Sequence, residues 1–403
     1  MSFGSEGESG KNARDEDAEE RRLEKTASQE GHAETPTDRR HATLRVAIAH
    51  EWLTRYLGSE RCVAEMLEAF PEARLLTTVL DASAFPARFH AAQPSLLQHV
   101  PGATRHHQWF LPLMPLAWRL RRIVRDVDLV ISSSHACAKG VRVDHGIPHL
   151  CYCHTPMRYA WDFDAERERF PRAIRPFARA GMGWFRRWDR KTAERVTRFV
   201  ANSTAVAQRI ENVFGRTAEV IHPPVRTEFF TPAGEREDFF LYVGRFVGYK
   251  RPDLVVEAFA GLPEQRLVMV GDGPLTPTLV AHATPNVSFL SAVDDERLRH
   301  LYRSARALVY PVEEDFGIVM AEAQACGAPV IGLAAGGATD IVEPDRTGWL
   351  LHAQSVDELR AVVRRAAVEE LDAEEIAGAA QRFSAARFRR ELQEAAIACA
   401  AGT

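Results

Sequence analysis

The chain of 403 residues contains no run of about eighteen apolar residues, the length a membrane-spanning helix needs. Its first residues lack the apolar segment of a secretory signal, so the expectation is a cytoplasmic protein that spans no membrane. Cysteine is scarce. Cys62, Cys137, Cys151, Cys153, Cys326 and Cys399 lie mostly inside apolar runs and not at regular loop spacings, which argues against a disulfide framework and suits a reducing compartment. Charge of one sign is not in excess either. A formal net charge of −4 excludes nucleic-acid binding by global electrostatics and leaves any basic face local. The fingerprint GxGxxG is absent, which disfavours a dinucleotide dehydrogenase.

What is present suffices for two domains, each with its own core. Residues 1–41 are polar, charged and almost free of large apolar side chains, so they are expected to form a disordered tail. From Leu44 the pattern changes. "LRVAIAH" reads as a strand and "SERCVAEMLEAF" as a helix, and further strands are predicted at "RLLTTVL", "DLVISSS", "PHLCYCH" and "RFVANS". Apolar strands alternating with helix-length segments predict a parallel sheet covered by helices over residues 42–222. The proline-rich stretch 223–238 reads as the junction. The alternation restarts over 239–383 with "FFLYVGR", "RLVMVG", "NVSFLS", "ALVYPV" and "APVIGLA" as strands, and a last helix occupies 384–403. Two doubly wound α/β halves facing across a hinge are therefore expected. A ligand would lie beyond the carboxyl ends of their strands.

Several stretches put chemistry at those strand ends. In "VEEDFGIVMAEAQACGAPVI", Glu314 follows a strand and precedes a helix that begins near Phe316 or Gly317, so helix N–H groups lie beside it. Glu322 falls roughly 7.5 Å further along that helix. Two carboxylates at a ligand's length suit the vicinal hydroxyls of a sugar and a ribose. They would equally be surface acids favoured near a helix start.

"YVGRFVGYKRPD" sets Arg245 and Lys250 near a helix entry, where a planar fork and a mobile point charge suit a diphosphate. Gly271 and Gly273 in "VGDGP", and the glycines of "AAGGATDIV", mark turns where the backbone approaches something closely. Gly58, just ahead of the first helix, would admit a phosphate to its N–H groups. His154 ends a strand and, at the mouth of a cleft, can meet a sugar hydroxyl or influence proton transfer. Zinc at Cys151, Cys153 and His154 is disfavoured because residues 151 and 153 share one strand face and 154 points to the other. The Asp162/Asp164 and Asp126/Asp128 pairs read as incidental.

Taken in order, "ISSSHACAKG", "YCHTPMRYAWD", "ANSTAVAQRI", "VIHPPV", "VGRFVGYKRPD", "VGDGP" and "EEDFGIVMAEAQACGAPVIG" resemble the retaining GT-B glycosyltransferases of glycosyltransferase family 4, in its bacterial mannosyltransferase-like branch. The likeness runs from Arg45 to the last helix. It implies that Arg245 and Lys250 hold the donor diphosphate, that Glu314 takes donor-sugar hydroxyls and that Glu322 takes the ribose. It also implies that Phe316, Gly317 and Ile318 present backbone amides to sugar and phosphate, and that His154 sits near sugar and acceptor. Where the family usually carries Gly-Gly before the first helix, this chain carries Leu57-Gly58.

The activity this implies is transfer of a hexose with retention, mannose from GDP-mannose first and a UDP-sugar second. The acceptor would be a glycan, a lipid-linked sugar or a small molecule, with no cofactor and no metal. A sugar-nucleotide epimerase would consume donor without acceptor, a silent binder of the same fold would bind nucleotide sugar and never cleave it, and a phosphorylase lacks a context for a pyridoxal phosphate lysine. The Arg-rich, aromatic-interleaved stretch 169–191 suits a peripheral contact with an anionic membrane, and equally a solvated helix face or the interdomain surface that sets hinge geometry.

Overall fold

The computed structural model describes residues 44–163, 175–291 and 293–402. The expected tail at 1–41 lies outside the described residues, as does Asp164. The first half is built from β1 (Val46–His50), α1 (Gly58–Ala69), β2 (Arg74–Leu76), α2 (Met114–Leu120), β3 (Leu129–Ser134), β4 (His149–Cys153), α3 (Arg158–Trp161), α4 (Arg175–Ala193), β5 (Arg198–Ala201), α5 (Thr204–Phe214) and β6 (Ala218–Val220). Its strands form one parallel sheet in the order β2-β1-β3-β4-β5-β6.

The second half runs through β7 (Phe240–Val243), α6 (Pro252–Ala260), β8 (Leu267–Val270), α7 (Thr276–His282), β9 (Val287–Leu290), α8 (Asp295–Ser304), β10 (Ala307–Tyr310), α9 (Ile318–Ala325), β11 (Val330–Leu333), α10 (Ala338–Ile341), β12 (Gly348–Leu351), α11 (Val356–Ala366) and α12 (Ala373–Ala380). Its sheet is also parallel, ordered β12-β11-β10-β7-β8-β9. The strand order reverses between β7 and β10, and there the loops after the two strands diverge to opposite faces and leave a crevice. The fold is thus two doubly wound α/β halves, the GT-B architecture.

Two strands went unread in the sequence. β6 has only three residues, none of them buried, at the edge of its sheet. β12 opens on a glycine after a turn, so its apolar run is too short to stand out. The long connection between β2 and α2, which carries several short 3₁₀ turns, was likewise not foreseen.

The last helix, α13 (Ala385–Ala401), returns to the first half. Ser384 caps it by accepting from the Arg387 N–H, Phe388 meets Tyr152 edge to face at 5.6 Å, and Gln393 donates to the Ala69 carbonyl at 2.9 Å. It straps the halves together.

The described part of 169–191 shows what packs one side of that helix. Met182 and Phe185 on α4 are buried in the core of the first half, and Trp188 packs against that core and beneath Gly140. Arg190 lies 4.8 Å over Trp161, and Asp189 makes a fully buried ion pair with Lys139 while accepting from Trp161 Nε1 at 2.7 Å. Among the described residues, Phe185 and Trp188 thus form part of a core face of this helix. Trp184 is the exception and stays half exposed.

Candidate active site

The site is built where β10 ends. The loop behind it turns into α9 through Gly317, whose φ of +90° suits glycine. The turn containing Gly336 and Gly337 supports this loop from below. The Gly337 N–H donates to the Glu314 carbonyl at 2.9 Å, and a Cβ at Gly337 would stand 2.2 Å from the Phe316 carbonyl oxygen. The glycines of "AAGGATDIV" therefore approach the Glu314 loop.

Glu314 is held in a closed triangle. Lys250, on the turn after β7, lies 2.8 Å from the Glu314 carboxylate and donates to the Tyr310 hydroxyl at 2.8 Å, and Tyr310 donates to Glu314 at 2.9 Å. Burial, with Glu314 beside it, pushes the Tyr310 phenol well above its ordinary range, so it remains a neutral donor. A cation and a carboxylate thus stand in contact at the point where the sheet order reverses.

A cavity of about 200 Å³ opens over this triangle. Lys250, Glu314, Phe316, Gly317 and Ile318 line it from the second half; Gly58 and His154 line it from the first. Seven of the expected site residues thus meet in one space. An added Cβ at Gly58 would meet nothing within 4 Å, so the fold itself does not demand glycine there. Leu57, in the family's Gly position, is 58% exposed, and its N–H is satisfied by the Glu60 carboxylate at 3.1 Å.

His154 heads a buried polar chain. Its Nε2 bonds Ser133 Oγ at 2.8 Å, Ser133 Oγ bonds His50 Nδ1 at 3.1 Å, and His50 Nε2 lies 3.4 Å from Glu60. Burial, with His135 and His50 close by, drives the His154 imidazole well below its ordinary range. It therefore faces the cavity uncharged. Cys151 and Cys153 pack instead with Phe199, Val206 and Ile210, away from His154.

Glu322 lies in an adjoining cavity of about 150 Å³ that shares Ile318 as a wall. It accepts from Arg61 on α1 and from the Tyr302 hydroxyl, each at 3.3 Å, and Arg61 also reaches Asp295. Burial raises the Glu322 carboxyl to about 7, with Arg61 and Arg226 opposing the rise.

Two expected placements differ. Arg245 is exposed and lines a third cavity of about 900 Å³, whose other walls, Trp52, Arg55, Arg105 and His107 among them, belong to the first half. Lys250 is not in that lining, so the two cations serve different cavities. Gly271 and Gly273 line none of the three. A Cβ at Gly271 would fall 1.9 Å from the Gly244 carbonyl oxygen, and one at Gly273 would fall 2.4 Å from that of Phe246, so both glycines let the loop after β8 pack on the loop that carries Arg245.

Several residues escaped the sequence reading. Asp315 joins the halves: it accepts from Arg158 at 3.1 Å and from Arg209, while Ser203 donates to its carbonyl. Glu51 is fully buried and accepts from Ser134 Oγ and the N–H groups of His135, Ala136, Cys137 and Ala138 at 2.7–3.1 Å. Burial opposes its charge, but His135 and these donors outweigh burial and hold the carboxyl below its ordinary range. Asp128 of the Asp126/Asp128 pair is structural, since it takes both the backbone N–H and the guanidinium of Arg45.

Comparison with known proteins gives the same picture. Residues 56–229 match the family model "Glycosyltransferase Family 4", and residues 226–383 match "Glycosyl transferases group 1". A D-inositol 3-phosphate glycosyltransferase of Mycobacteroides abscessus is 32% identical over 231 residues, which is 51% of this chain and 50% of that protein. The corresponding protein of Mycolicibacterium smegmatis is 31% identical over 193 residues, or 42% and 44% of the two chains. The chain thus spans about half the length of the curated relatives it matches.

Among solved structures, Anabaena HepE in complex with UDP superposes with a TM-score of 0.64 at 17% identity, covering 87% of this chain and 99% of that one. Sucrose-phosphate synthase from Thermosynechococcus elongatus gives 0.62 at 19%, covering 89% and 97%. Two adjoining glycosyltransferase family models that together span residues 56–383, the paired parallel sheets and the GT-B neighbours agree on a glycosyltransferase family 4-like chain of the GT-B fold.

Proposed function

We propose that the protein transfers a hexosyl group from a nucleoside-diphosphate sugar to an acceptor hydroxyl, with retention at the anomeric carbon. One observation carries the reading: the Lys250–Tyr310–Glu314 triangle sits at the topological switch of the second half and faces Gly58 and His154 across a cavity of about 200 Å³. In this reading the donor diphosphate lies against Lys250 and the open helix N-terminus at Gly58. Glu314 accepts from donor-sugar hydroxyls, and Glu322 accepts from the ribose in the adjoining cavity beyond Ile318.

The bond from the anomeric carbon to the phosphate oxygen breaks while the bond to the acceptor oxygen forms on the same face. The acceptor proton passes to the departing phosphate oxygen. Lys250 and Arg245 stabilise the charge that develops there, Arg245 from the rim of the neighbouring cavity. A double displacement has less support, because Glu314 is engaged by Lys250 and Tyr310, and Asp315 is engaged by Arg158 and Arg209.

GDP-mannose is the first donor on the branch resembled, and a UDP-sugar is second, the nucleotide present in the HepE complexes. Three arginines and two histidines around the larger cavity, against Glu60 and Asp81, favour an acceptor that carries an anionic group, in keeping with the inositol phosphate in the names of the curated relatives. A panel of nucleotide sugars read by melting temperature tests the donor. The reading fails if Lys250→Ala and Glu314→Ala, each still folded, release nucleotide from the preferred donor as fast as the parent protein.

A further inference from the structure

We propose that the first half carries a docking surface for an anionic lipid bilayer, formed by the connection from Leu96 through α2. Among the described residues eleven large hydrophobic side chains are exposed, and six of them lie here: Leu96, Val100, Trp109, Leu113, Leu116 and Leu120. Trp109 is 79% exposed and Leu120 60%. Leu113, Leu116 and Leu120 follow the three- and four-residue spacing of one helix face, while Met114 and Trp118 on the opposite face are buried in the core. Among the described residues the outward leucines therefore cover nothing. An apolar patch of this density on an isolated surface marks a binding face.

Charge identifies the occupant. From Ala82 to Arg125 the chain contains no acidic residue, yet it carries six arginines and four histidines within a protein of net charge −4. Arg105, Arg119, Arg122 and Arg125 are exposed around the apolar stripe. Two copies of the chain meeting through this face would set like charge against like charge, which disfavours a symmetric dimer. A bilayer bearing anionic lipid satisfies both features at once: leucines enter the acyl boundary, the tryptophan takes the headgroup level, and arginines pair with phosphates. The sequence reading looked for such a face at 169–191, where among the described aromatics Phe185 and Trp188 turn inward.

The surface also adjoins the acceptor side of the cleft. Arg105, His106 and Trp109 line the same cavity of about 900 Å³ as Arg245. A lipid-linked acceptor would accordingly enter from the bilayer beside Trp109; this clause alone rests on the glycosyl-transfer reading.

The test is co-sedimentation of the full chain with vesicles, in the absence of any nucleotide sugar. Binding is expected to phosphatidylglycerol–phosphatidylcholine vesicles at low salt, with loss in high salt and little binding to phosphatidylcholine alone. Leu116→Glu with Leu120→Glu should abolish it at an unchanged melting temperature. Arg119→Gln with Arg122→Gln should weaken it roughly thirtyfold. Equal binding by parent and both variants overturns the proposal, as does a parent protein that is a dimer dissociated by the leucine pair. Vesicle binding without any transferase activity would leave the surface standing and remove only the enzymatic reading; donor cleavage by a protein that ignores vesicles would do the reverse.

Discussion

Replacing Glu322 by glutamine should stabilise the protein at neutral and alkaline pH while weakening its hold on nucleotide. The carboxyl is 5% exposed, and burial raises it to about 7 against an ordinary value of 4.5. A folded-state value above the unfolded one means that the stabilising protonated form is fully present below about pH 4.5 and is lost as pH rises through about 7. At 1.36 kcal/mol per tenfold in proton affinity, the gap corresponds to about 3 kcal/mol lost between those limits. Arg61 and the Tyr302 hydroxyl, each at 3.3 Å, offset burial only in part. Glutamine at this position neither titrates nor carries the buried charge. Melting curves of parent and Glu322→Gln should therefore coincide near pH 4.5 and separate by a few degrees above pH 7, the variant melting higher. Ribose hydroxyls donate best to a carboxylate, so the parent's affinity for GDP or UDP should rise with pH up to about 7 and then level, whereas the variant's should be flat and weaker. Calorimetric titration across that range reads the effect. A stability difference that stays constant from pH 5 to pH 8 would refute the electrostatic argument, whatever the nucleotide does.

The remaining expectations concern neighbouring groups. Lys250→Ala should lower the transfer rate by about 10²–10³, the cost of removing one preorganised donor to a developing anion, with the melting temperature little changed. Gly58→Ala should leave stability within about 0.5 kcal/mol, since its Cβ meets open space, but should raise the donor KM if a phosphate approaches that backbone. Gly337→Ala should behave in the opposite sense: the Phe316 carbonyl 2.2 Å from the new Cβ forces the Glu314 loop to move, so stability and activity fall together in melting and turnover assays. Glu51→Ala should cost about 3–5 kcal/mol in denaturant unfolding, because it strips the acceptor from a buried cluster of N–H donors.

How much of this was legible follows from how far apart the partners lie in the chain. Strands such as β3 and β10 were readable because uninterrupted apolar runs between helix-length segments have few other meanings, and the residues just beyond them had to sit at the crevice. Gly58, His154, Lys250 and Glu314 were read in this way, each at a strand end or helix start, whereas Phe316, Gly317 and Ile318 came from the family resemblance; all seven line one cavity. The residues that hold them were not legible. Asp315 meets Arg158 and Arg209 across more than a hundred residues, and Glu51 meets the turn after β3 some 84–87 residues later. Local spacing cannot announce such contacts. The two glycines of "VGDGP" were readable as sites of close approach but not as to what approaches, because a glycine reports that space is short and not whether a ligand or a neighbouring loop has taken it. The stretch 169–191 was legible only as a helix with one wet and one dry face: among its described aromatics Phe185 and Trp188 turn out to be core, and only packing reveals that. The stretch from Leu96 to Leu120 differs, since its inward residues already satisfy the core and the leucines left outside meet no partner among the described residues.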